Sequence, residues 1–448
     1  MSKLTPIIGL EVHVELKTKS KMFCSCSADY FGKEPNSYTC PVCLGLPGAL
    51  PVPNRKAIEW CIKIAISLNC EINLFSKFDR KNYFYPDLAK GYQISQYDLP
   101  FGYDGFIELK NKKRIRIRRV HMEEDTGKLI HQEIKGEKIS LIDFNRSGTP
   151  LVEIVTEPDF NTADEVKEYL QKLQLIVRYL DVSNADMERG EMRLEPNISL
   201  SHRTDLQLPI SEKLLPKYKV EVKNINSFKF VEKAINFEIK RQEEILQTGI
   251  NPAQETRGWD EIKQRTFSQR IKEEAHDYRY FPEPDIPPII HKKEQISTLK
   301  SQVPELQAEK IIRFSLQYAI PEYNSEILTR DKKIADYFEE TAKLGKKHEI
   351  SAKKIANILI NQKTDVAKIL PVSLIKSIIA SDQTAKIDDA ELDRIVCEVF
   401  DANEKAVQEF KNGKEASQMF LLGQVLKKIG RKVDIVLVTN HIVKKLQK

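Results

Sequence analysis

Four prolines within residues 281–288, FPEPDIPP, divide the chain into two parts. Proline has no backbone N–H and restricts the residue before it, so this segment can continue neither a helix nor a central strand. Glycine follows the same division, because 13 of the 17 glycines lie in residues 1–258. Glycine marks the turns and bulges of sheets and is unfavourable inside helices. The sequence therefore predicts a sheet-rich front part and a helical rear part that meet near residue 292.

The chain has 448 residues, of which 41% are hydrophobic and 30% are charged. At about 100–200 residues per domain, this length predicts two to four domains with ample core. No stretch approaches the roughly 18 consecutive apolar residues of a membrane-spanning helix, which argues against a membrane protein. The N-terminus enters a patterned strand too soon for a signal or transit peptide, so we expect the cytoplasm or an equivalent reducing compartment.

Periodicity predicts the fold class. Residues 8–16 alternate with the period of two of a strand, and residues 140–155 look like a hairpin. A capping box at Thr162 and Glu165 begins one helix, and a second helix begins near Ser227. In the rear part, helical stretches are expected at 308–318, 331–344, 352–361, 389–399, 403–412 and 415–428. We predict an α+β fold with a mixed, mainly antiparallel sheet and helices in 1–292, an all-helical domain in 293–394 and a small helical tail domain in 395–448.

The formal charge of +6 is concentrated at the C-terminus. Residues 401–448 contain ten Lys or Arg and five Asp or Glu, so this tail alone carries +5. A basic terminal module is typical of nucleic-acid binding. A solvated, lysine-rich helical surface explains the charge about equally well.

Four of the seven cysteines form two close pairs. Cys24 and Cys26 are separated by thirteen residues from Cys40 and Cys43. An odd number of cysteines at low density argues against a disulfide framework. A redox CxxC is a weaker interpretation, because the other pair completes a closed set of four thiolates, which is normally structural. The spacing predicts a structural Zn²⁺ site.

Acidic side chains and one histidine suggest a second, different metal site. Glu11, His13 and Glu15 share one face of the predicted strand 8–16, and Glu153 interrupts the aliphatic run LVEIV. A buried carboxylate must find a cation, a donor or a metal. Within residues 120–127, VHMEEDTG, only one of the two consecutive glutamates can point into a common site. Oxygen ligands with one imidazole suit Mg²⁺ or Mn²⁺ rather than a second zinc, although a solvated sheet face remains an alternative.

Clustered cations stand beside aromatic residues in segment 77–87, KFDRKNYFYPD. This combination suits phosphate or a nucleic-acid end, and a surface loop over packed aromatics is about equally compatible with it. The sequence has no GxxxxGK[ST] loop and no GxGxxG, so any nucleotide must be held in another way.

Seven segments, in order along residues 7–290, closely resemble the B subunits of tRNA-dependent amidotransferases. They are IGLEVHVEL (8–16), KFDRKNYFYPD (77–87), YQISQ (92–96), HMEEDTGK (121–128), NRSGTPLVEIV (145–155), EVKNINSF (221–228) and DYRYFPEPD (277–285). The resemblance implies that ATP phosphorylates the side-chain carboxylate of Glu or Asp mischarged on tRNA(Gln) or tRNA(Asn). Amidation then uses ammonia from a partner amidase (A) subunit, in a heterotrimer with a small C subunit. No Ser-cisSer-Lys amidase machinery is expected in this chain.

The resemblance also implies roles for individual residues. Glu11, His13, Glu124 and Glu153 match the family's catalytic metal-binding set, with Mg²⁺ as the metal. Lys77, Arg80 and Lys81 are candidates for contacts with ATP phosphate or the tRNA acceptor end. The front part corresponds to the family's cradle domain, and the basic tail corresponds to a tRNA-binding domain.

Two alternatives compete with this interpretation. The homologous E subunit of the archaeal tRNA(Gln)-specific enzyme carries a large inserted domain, for which 448 residues leave no room. A non-catalytic, zinc-containing tRNA-binding module would explain the cysteines, the basic tail and the cation segment. Such a module has no reason to keep Glu153 inside an aliphatic strand.

Overall fold

The computed structural model describes residues 4–134, 136–201, 215–271, 278–362, 364–382, 387–411, 414, 416–430 and 433–446. Spatial contacts divide the chain into two units, Met1–Lys310 and Ile311–Lys448. The predicted main boundary lies near residue 292. The division falls later because helix Lys293–Ser301 packs Leu299 and Ile296 against the core of the first unit. Asp277, the first residue of segment 277–285, and Asn412, the last residue of the predicted helical stretch 403–412, lie outside the described residues.

Among the described residues, all strands belong to the first unit. They are β1 (Thr5–Glu15), β2 (Glu71–Ile72), β3 (Phe75–Ser76), β4 (Asp79–Asn82), β5 (Tyr92–Ser95), β6 (Gly102–Glu108), β7 (Arg114–Glu124), β8 (Lys128–Ile134), β9 (Glu137–Asp143), β10 (Pro150–Thr156), β11 (Met192–Ser201), β12 (Val220–Lys223), β13 (Glu255–Asp260), β14 (Arg265–Ile271), β15 (Phe281–Pro282) and β16 (Ile289–Ile290).

The helices are concentrated in the rear of the chain. They are α1 (Arg55–Ser67), α2 (Ala163–Tyr179), α3 (Phe228–Gln247), α4 (Lys293–Ser301), α5 (Gln307–Tyr318), α6 (Glu322–Leu328), α7 (Lys332–Lys346), α8 (Ala352–Asn361), α9 (Pro371–Asp382), α10 (Asp389–Ala402), α11 (Glu404–Lys411), α12 (Ala416–Ile429) and α13 (Ile435–Leu446). The predicted α+β class is confirmed.

A nine-stranded sheet forms the frame of the first unit, in the order β14-β13-β12-β11-β1-β10-β7-β6-β2. Its neighbouring strands run antiparallel except β12 and β13, which are parallel. One face carries alternate aliphatic residues such as Leu10, Val12 and Val14, which are almost completely buried. Helices α1, α2 and α3 pack on this face and close a single large core. The other face carries polar side chains such as Glu11 and His13 beside buried aliphatic ones such as Ile7 and Leu151.

The predicted hairpin 140–155 is wrong. Strand β9 pairs with β8, whereas β10 lies between β1 and β7 in the large sheet. The physical reason is burial, because β10 places Val152 and Ile154 in the core while the β8–β9 ribbon is mostly exposed. Residues 144–149 therefore form a connecting turn from the ribbon into the sheet.

Helix starts follow the sequence signals closely. The Thr162 side chain accepts a hydrogen bond from the Glu165 backbone N–H, as predicted for the start of α2. The Glu165 carboxylate caps the N–H of Asn161 rather than that of Thr162. Ser227 caps α3 as predicted, and Val231 and Ile235 of this helix are buried. Side-chain oxygens at these positions satisfy N–H groups that a helix leaves unpaired.

The described residues of the second unit form two hydrophobic cores. One is built around Phe314, Phe338 and Ile355, and the other around Val396 and Leu421. All six predicted helical stretches are confirmed, as α5, α7, α8, α10, α11 and α12. The division into domains 293–394 and 395–448 stays a prediction. In the described part of the chain, no helix is both long and apolar enough to span a bilayer.

Candidate metal centre and active site

The polar face of the large sheet brings histidines and glutamates from three strands into one row. His13 on β1 lies opposite Glu153 on β10, and Glu153 lies opposite His121 on β7. Glu123 follows His121 at a spacing of two, so it points to the same face. The strand register that buries the aliphatic face thus also assembles this row.

The side-chain atoms in this row are close together. His13 Nε2 lies 3.4 Å from Glu123 Oε1 and 3.6 Å from Glu153 Oε2. His121 Nε2 lies 3.2 Å from Glu153 Oε2. Ligand atoms of His13, Glu123 and Glu153 all lie within 4.8 Å of one another, and both glutamates are buried. We call these three residues the acidic cluster.

The charges in the acidic cluster depend on one another. Burial alone would raise the pKa of Glu153, but His121 and His13 beside it hold that pKa well below its usual range. Burial alone would lower the pKa of His13, but the carboxylates of Glu153 and Glu123 raise it to about 9. Two buried carboxylates therefore need a positive charge, from an imidazolium or a divalent cation. Two carboxylates and one imidazole fit a hard cation such as Mg²⁺ or Mn²⁺.

The structure separates the predicted metal-binding residues. His13 and Glu153 lie together as predicted. Glu124 points to the opposite face of β7, and its neighbour Glu123 lies beside His13 and Glu153 instead. A β-bulge in β7 explains which face Glu123 and Glu124 occupy. Val155 of β10 pairs with Arg119, but the next residue, Thr156, pairs with Ile117, so β7 has one extra residue, Arg118, at this point. The extra residue moves the core-facing positions from odd to even numbers along β7.

Glu124 instead fastens strand β5 to strand β7. Its carboxylate accepts a 3.0 Å hydrogen bond from the Ile94 N–H and forms an ion pair with Lys90. Its carbonyl accepts a 2.7 Å hydrogen bond from the Gln93 amide. The fourth predicted ligand, Glu11, lies on the polar face two residues from His13, and its carboxylate accepts a 3.1 Å bond from Asn197. Glu11 is not among the three clustered residues.

The three predicted cations have different surroundings. Lys77 forms ion pairs with Asp79 and, at 2.7 Å, with Asp98. Arg80 binds Glu283 through two 2.8 Å hydrogen bonds. Such pairs hold these two side chains in place and neutralise them.

Lys81 differs because its ammonium lies over aromatic rings, 5.1 Å from the centre of Tyr278 and 5.9 Å from that of Tyr83. Burial alone would lower its pKa, but the charges of Glu123 and Glu153 raise it. Of the three predicted cations, Lys81 is thus the one whose charge interacts with the carboxylates of the acidic cluster. The nearby rings of Tyr97 and Tyr280 stack 4.4 Å apart at 14°, and they extend the aromatic surface beside Lys81.

Sequence reasoning missed His121 and Asp125. Buried Asp125 accepts a 2.7 Å hydrogen bond from Arg193 and lies 3.6 Å from Arg146. Burial would raise its pKa, but these two guanidinium groups lower it. The sequence carried a signal for His121, because it shares a strand face with Glu123. It carried none for the distant partner Arg193.

The predicted cysteine site is assembled as expected from the spacing. The sulfur atoms of Cys24, Cys26, Cys40 and Cys43 all lie within 4.8 Å of one another, and all four residues are free thiols. The Cys40 N–H donates a 3.1 Å bond to Cys43 Sγ, and Lys21 Nζ lies 3.7 Å from the same sulfur. A hydrogen bond with Cys24, the Cys40 N–H and the Lys21 charge lower the pKa of Cys43 to about 5. This cluster could bind Zn²⁺.

Comparison with known proteins identifies the family. Residues 6–297 match the family model described as the GatB/GatE catalytic domain, and residues 298–446 match the GatB domain. Over 95% of both chains, the sequence is 43% identical to the B subunit of the aspartyl/glutamyl-tRNA(Asn/Gln) amidotransferase of Carboxydothermus hydrogenoformans. Identity to the proteins of the same name is 42% over 98% of both chains in Thermotoga sp. strain RQ2, and 43% over 99% in Thermosipho melanesiensis. The chain therefore belongs to the family of B subunits of aspartyl/glutamyl-tRNA(Asn/Gln) amidotransferases.

Proposed function

We propose that this chain activates the side-chain carboxylate of Glu or Asp, mischarged on tRNA(Gln) or tRNA(Asn), by phosphorylation with ATP. Amidation of the activated carboxylate then gives Gln-tRNA(Gln) or Asn-tRNA(Asn). The observation that carries this proposal is the acidic cluster, His13, Glu123 and Glu153, beside the ammonium of Lys81. Family membership and the names of the relatives support the substrate.

The proposed reaction has two steps. An oxygen of the substrate carboxylate attacks the γ-phosphorus of ATP, which forms an acyl phosphate and releases ADP. Ammonia then attacks the acyl carbon, the C–O bond to phosphate breaks, and the products are the amide and inorganic phosphate, which takes up the proton that ammonia loses. Activation is needed because a carboxylate is a poor acylating agent, whereas phosphate is a good leaving group.

The acidic cluster would hold Mg²⁺, with His13 as its nitrogen ligand and Glu123 and Glu153 as its oxygen ligands. The bound cation would supply charge neutralisation for phosphate and carboxylate oxygens. His121 orients the carboxylate of Glu153 through their 3.2 Å contact. Because it is itself buried, this imidazole keeps that carboxylate fixed on the polar face.

Lys81 would bind an anionic oxygen of ATP or of the substrate. Its position among Tyr278, Tyr83 and the acidic cluster supports this role, since cations at such sites stabilise charge that develops during phosphoryl transfer. Lys77 and Arg80 would instead hold the surrounding segment in place, because their charges are neutralised by Asp79, Asp98 and Glu283.

The remaining parts of the proposal concern partners and metals. Ammonia would come from a partner amidase subunit, in a heterotrimer with a small C subunit. The basic tail, residues 401–448, would contact tRNA phosphates, which supply much of the affinity for nucleic acid. The four cysteines would hold a structural Zn²⁺, and a reducing cytoplasm would keep them as thiols.

Reconstitution tests the proposed function. The full chain is co-expressed with the amidase and C subunits, and ATP hydrolysis and amide formation are measured with Mg²⁺ and ammonium chloride. Glu-tRNA(Gln), Asp-tRNA(Asn) and the uncharged tRNAs are compared. Amide formation that requires both ATP and a mischarged tRNA would establish the activity and identify the substrate. Binding of tRNA without nucleotide turnover for any pairing would instead favour the non-catalytic tRNA-binding module.

We expect Lys81→Met to lower kcat/KM for tRNA-dependent ATP cleavage by about 10- to 100-fold. This factor corresponds to the free energy that a hydrogen bond to a charged group usually contributes. Lys77→Met is the comparison, and its effect should be several-fold smaller because Lys77 is already paired with two carboxylates. Steady-state kinetics of the reconstituted complex provide the measurement. Equal losses in the two variants would contradict the assignment of Lys81.

We expect removal of the metal from the cysteine site to lower the thermal stability of the full chain. At a metal concentration about 100 times the dissociation constant, binding stabilises the folded state by roughly 2.7 kcal/mol. Differential scanning calorimetry with and without a zinc chelator measures this change, and Cys43→Ser should reproduce it. Cys397→Ser is the control, since this thiol lies outside the cluster. An unchanged Tm in chelator would contradict the structural role.

A further inference from the structure

The ammonium of Lys21 is buried between the cysteine site and the turn that leads into strand β10. Lys21 is 0% exposed. Its Nζ donates a 2.8 Å hydrogen bond to the Tyr38 carbonyl, lies 3.4 Å from the Phe144 carbonyl and 3.7 Å from Cys43 Sγ. A buried ammonium is costly unless it is paired and fully hydrogen-bonded. Of these three contacts, Cys43 Sγ is the one that can carry a negative charge.

The same turn, residues 144–149, touches the cysteine site at two further points. The Ser147 hydroxyl donates a 3.1 Å hydrogen bond to the Cys43 carbonyl. The Gly148 carbonyl accepts a 2.7 Å bond from the N–H of Met22, the residue after Lys21. Gly148 has a φ of 84°, and a Cβ there would lie 3.4 Å from Cys43 Cβ. The turn is therefore packed directly against the cysteine site.

On its other side, the turn is joined to the strands that carry the acidic cluster. The Gly148 N–H donates a 2.8 Å bond to the Asp125 carbonyl, and the Asp125 N–H donates a 2.9 Å bond to the Thr149 carbonyl. Asp125 follows the end of β7, two residues after Glu123. The turn itself runs into β10, where Leu151 pairs with Glu123 and Glu153 pairs with His121. The position of the turn thus sets the end of β7 and the start of β10.

We propose that Lys21 is a positioning residue that couples metal binding at the cysteine site to metal binding at the acidic cluster. With metal-bound thiolates present, Lys21 keeps its bonds to Tyr38 and Phe144 and holds the turn. Without the metal, Cys43 Sγ is no longer fixed in the cluster, so the ammonium that lies against it is no longer held beside Phe144, the first residue of the turn. Because coupling between two sites is reciprocal, each metal strengthens binding of the other by the same factor. This inference rests on the proposed metal site at the acidic cluster.

The test measures the dissociation constant of Mn²⁺ by electron paramagnetic resonance, in the full chain and in Lys21→Met. Each protein is studied with its cysteine site loaded with Zn²⁺ and after removal of that zinc. In the wild type we expect zinc removal to weaken Mn²⁺ binding by about 5-fold or more, the lower range of measured couplings. In Lys21→Met we expect weak Mn²⁺ binding already with zinc present, and a ratio between the two states close to one. Zinc affinity in this variant should fall by about 10- to 100-fold.

Two further variants separate positioning from general loss of structure. Ser147→Ala removes a single hydroxyl and should give a coupling ratio between those of the wild type and Lys21→Met. Lys17→Met removes a lysine that pairs with Asp181 at the surface, and it should leave both affinities unchanged. Circular dichroism checks that each variant is folded, and the Ser147→Ala ratio carries the test if Lys21→Met does not fold.

The outcomes are distinct. A wild-type ratio of one, with Mn²⁺ still bound, would overturn the coupling and leave the acidic metal site intact. The same ratio in the wild type and in the folded Lys21 and Ser147 variants would overturn the role of Lys21. If the wild-type chain bound no Mn²⁺, both the acidic metal site and the coupling built on it would fall.

Discussion

Replacing Glu153 by Gln is expected to lower tRNA-dependent ATP cleavage by on the order of 10³-fold while tRNA binding persists. The variant keeps the shape of the side chain but removes the negative charge that His13 and His121 both face. It also removes an anionic metal ligand, so Mn²⁺ binding should be lost together with turnover. Single-turnover ATP cleavage, filter binding of tRNA and Mn²⁺ titration provide the three measurements.

Glu238→Gln is the matched control for this variant. Glu238 is fully buried on α3 and is held by Arg241 and Arg257, so its replacement also removes the charge of a buried carboxylate. We expect this variant to lose stability but to keep Mn²⁺ binding and ATP cleavage at the temperature of the assay. Unchanged ATP turnover in Glu153→Gln would remove the catalytic site proposed here and favour a binding module.

The second large effect is expected for Glu123, and replacement of its neighbour Glu124 should have a different result. Glu123→Gln should abolish tight Mn²⁺ binding and lower ATP cleavage by about 10²- to 10³-fold, because it removes one oxygen ligand of the acidic cluster. Glu124→Gln should keep Mn²⁺ binding but lower the free energy of unfolding by about 3–5 kcal/mol, because it removes the buried carboxylate that pairs with the partly buried Lys90. Urea unfolding and Mn²⁺ titration of both variants separate the two roles.

The two glutamates are adjacent in sequence, so each variant serves as the control for the other. The reverse result, with metal binding lost in Glu124→Gln and kept in Glu123→Gln, would restore the ligand set implied by the resemblance. It would also require β7 to present its other face to the site.

Much of the fold could be predicted because local patterns and packing agree. Strict alternation identified β1, and Thr162 and Ser227 marked the starts of α2 and α3. The missed helix α13 shows where local patterns fail. Its β-branched residues Ile435, Val436 and Val438 favour a strand, but Val438 and Ile442 are buried in the tail core at helical spacing. Tertiary packing outweighed the local preference there.

The site was harder to predict than the fold because it depends on pairing between distant strands. The cysteine site could be predicted from spacing alone, because only thirteen residues separate Cys26 from Cys40. The choice between Glu123 and Glu124 depended on a bulge at Arg118, which appears only when β7 pairs with β10. Lys21 gave no signal, because nothing in its neighbouring sequence indicates that a lysine would be completely buried.

The alternation of β1 has a consequence for the fidelity of folding. His13 and Glu11 face the site while Leu10, Val12 and Val14 fill the core, so a slip by one residue would exchange the two sets. Charged groups would then enter the hydrophobic interior, where each costs several kcal/mol without a partner. A chain with β1 in the shifted register would therefore not fold stably, so a folded protein with a misplaced site is not expected. The register that buries the aliphatic residues is therefore also the register that places His13 and Glu11 at the site.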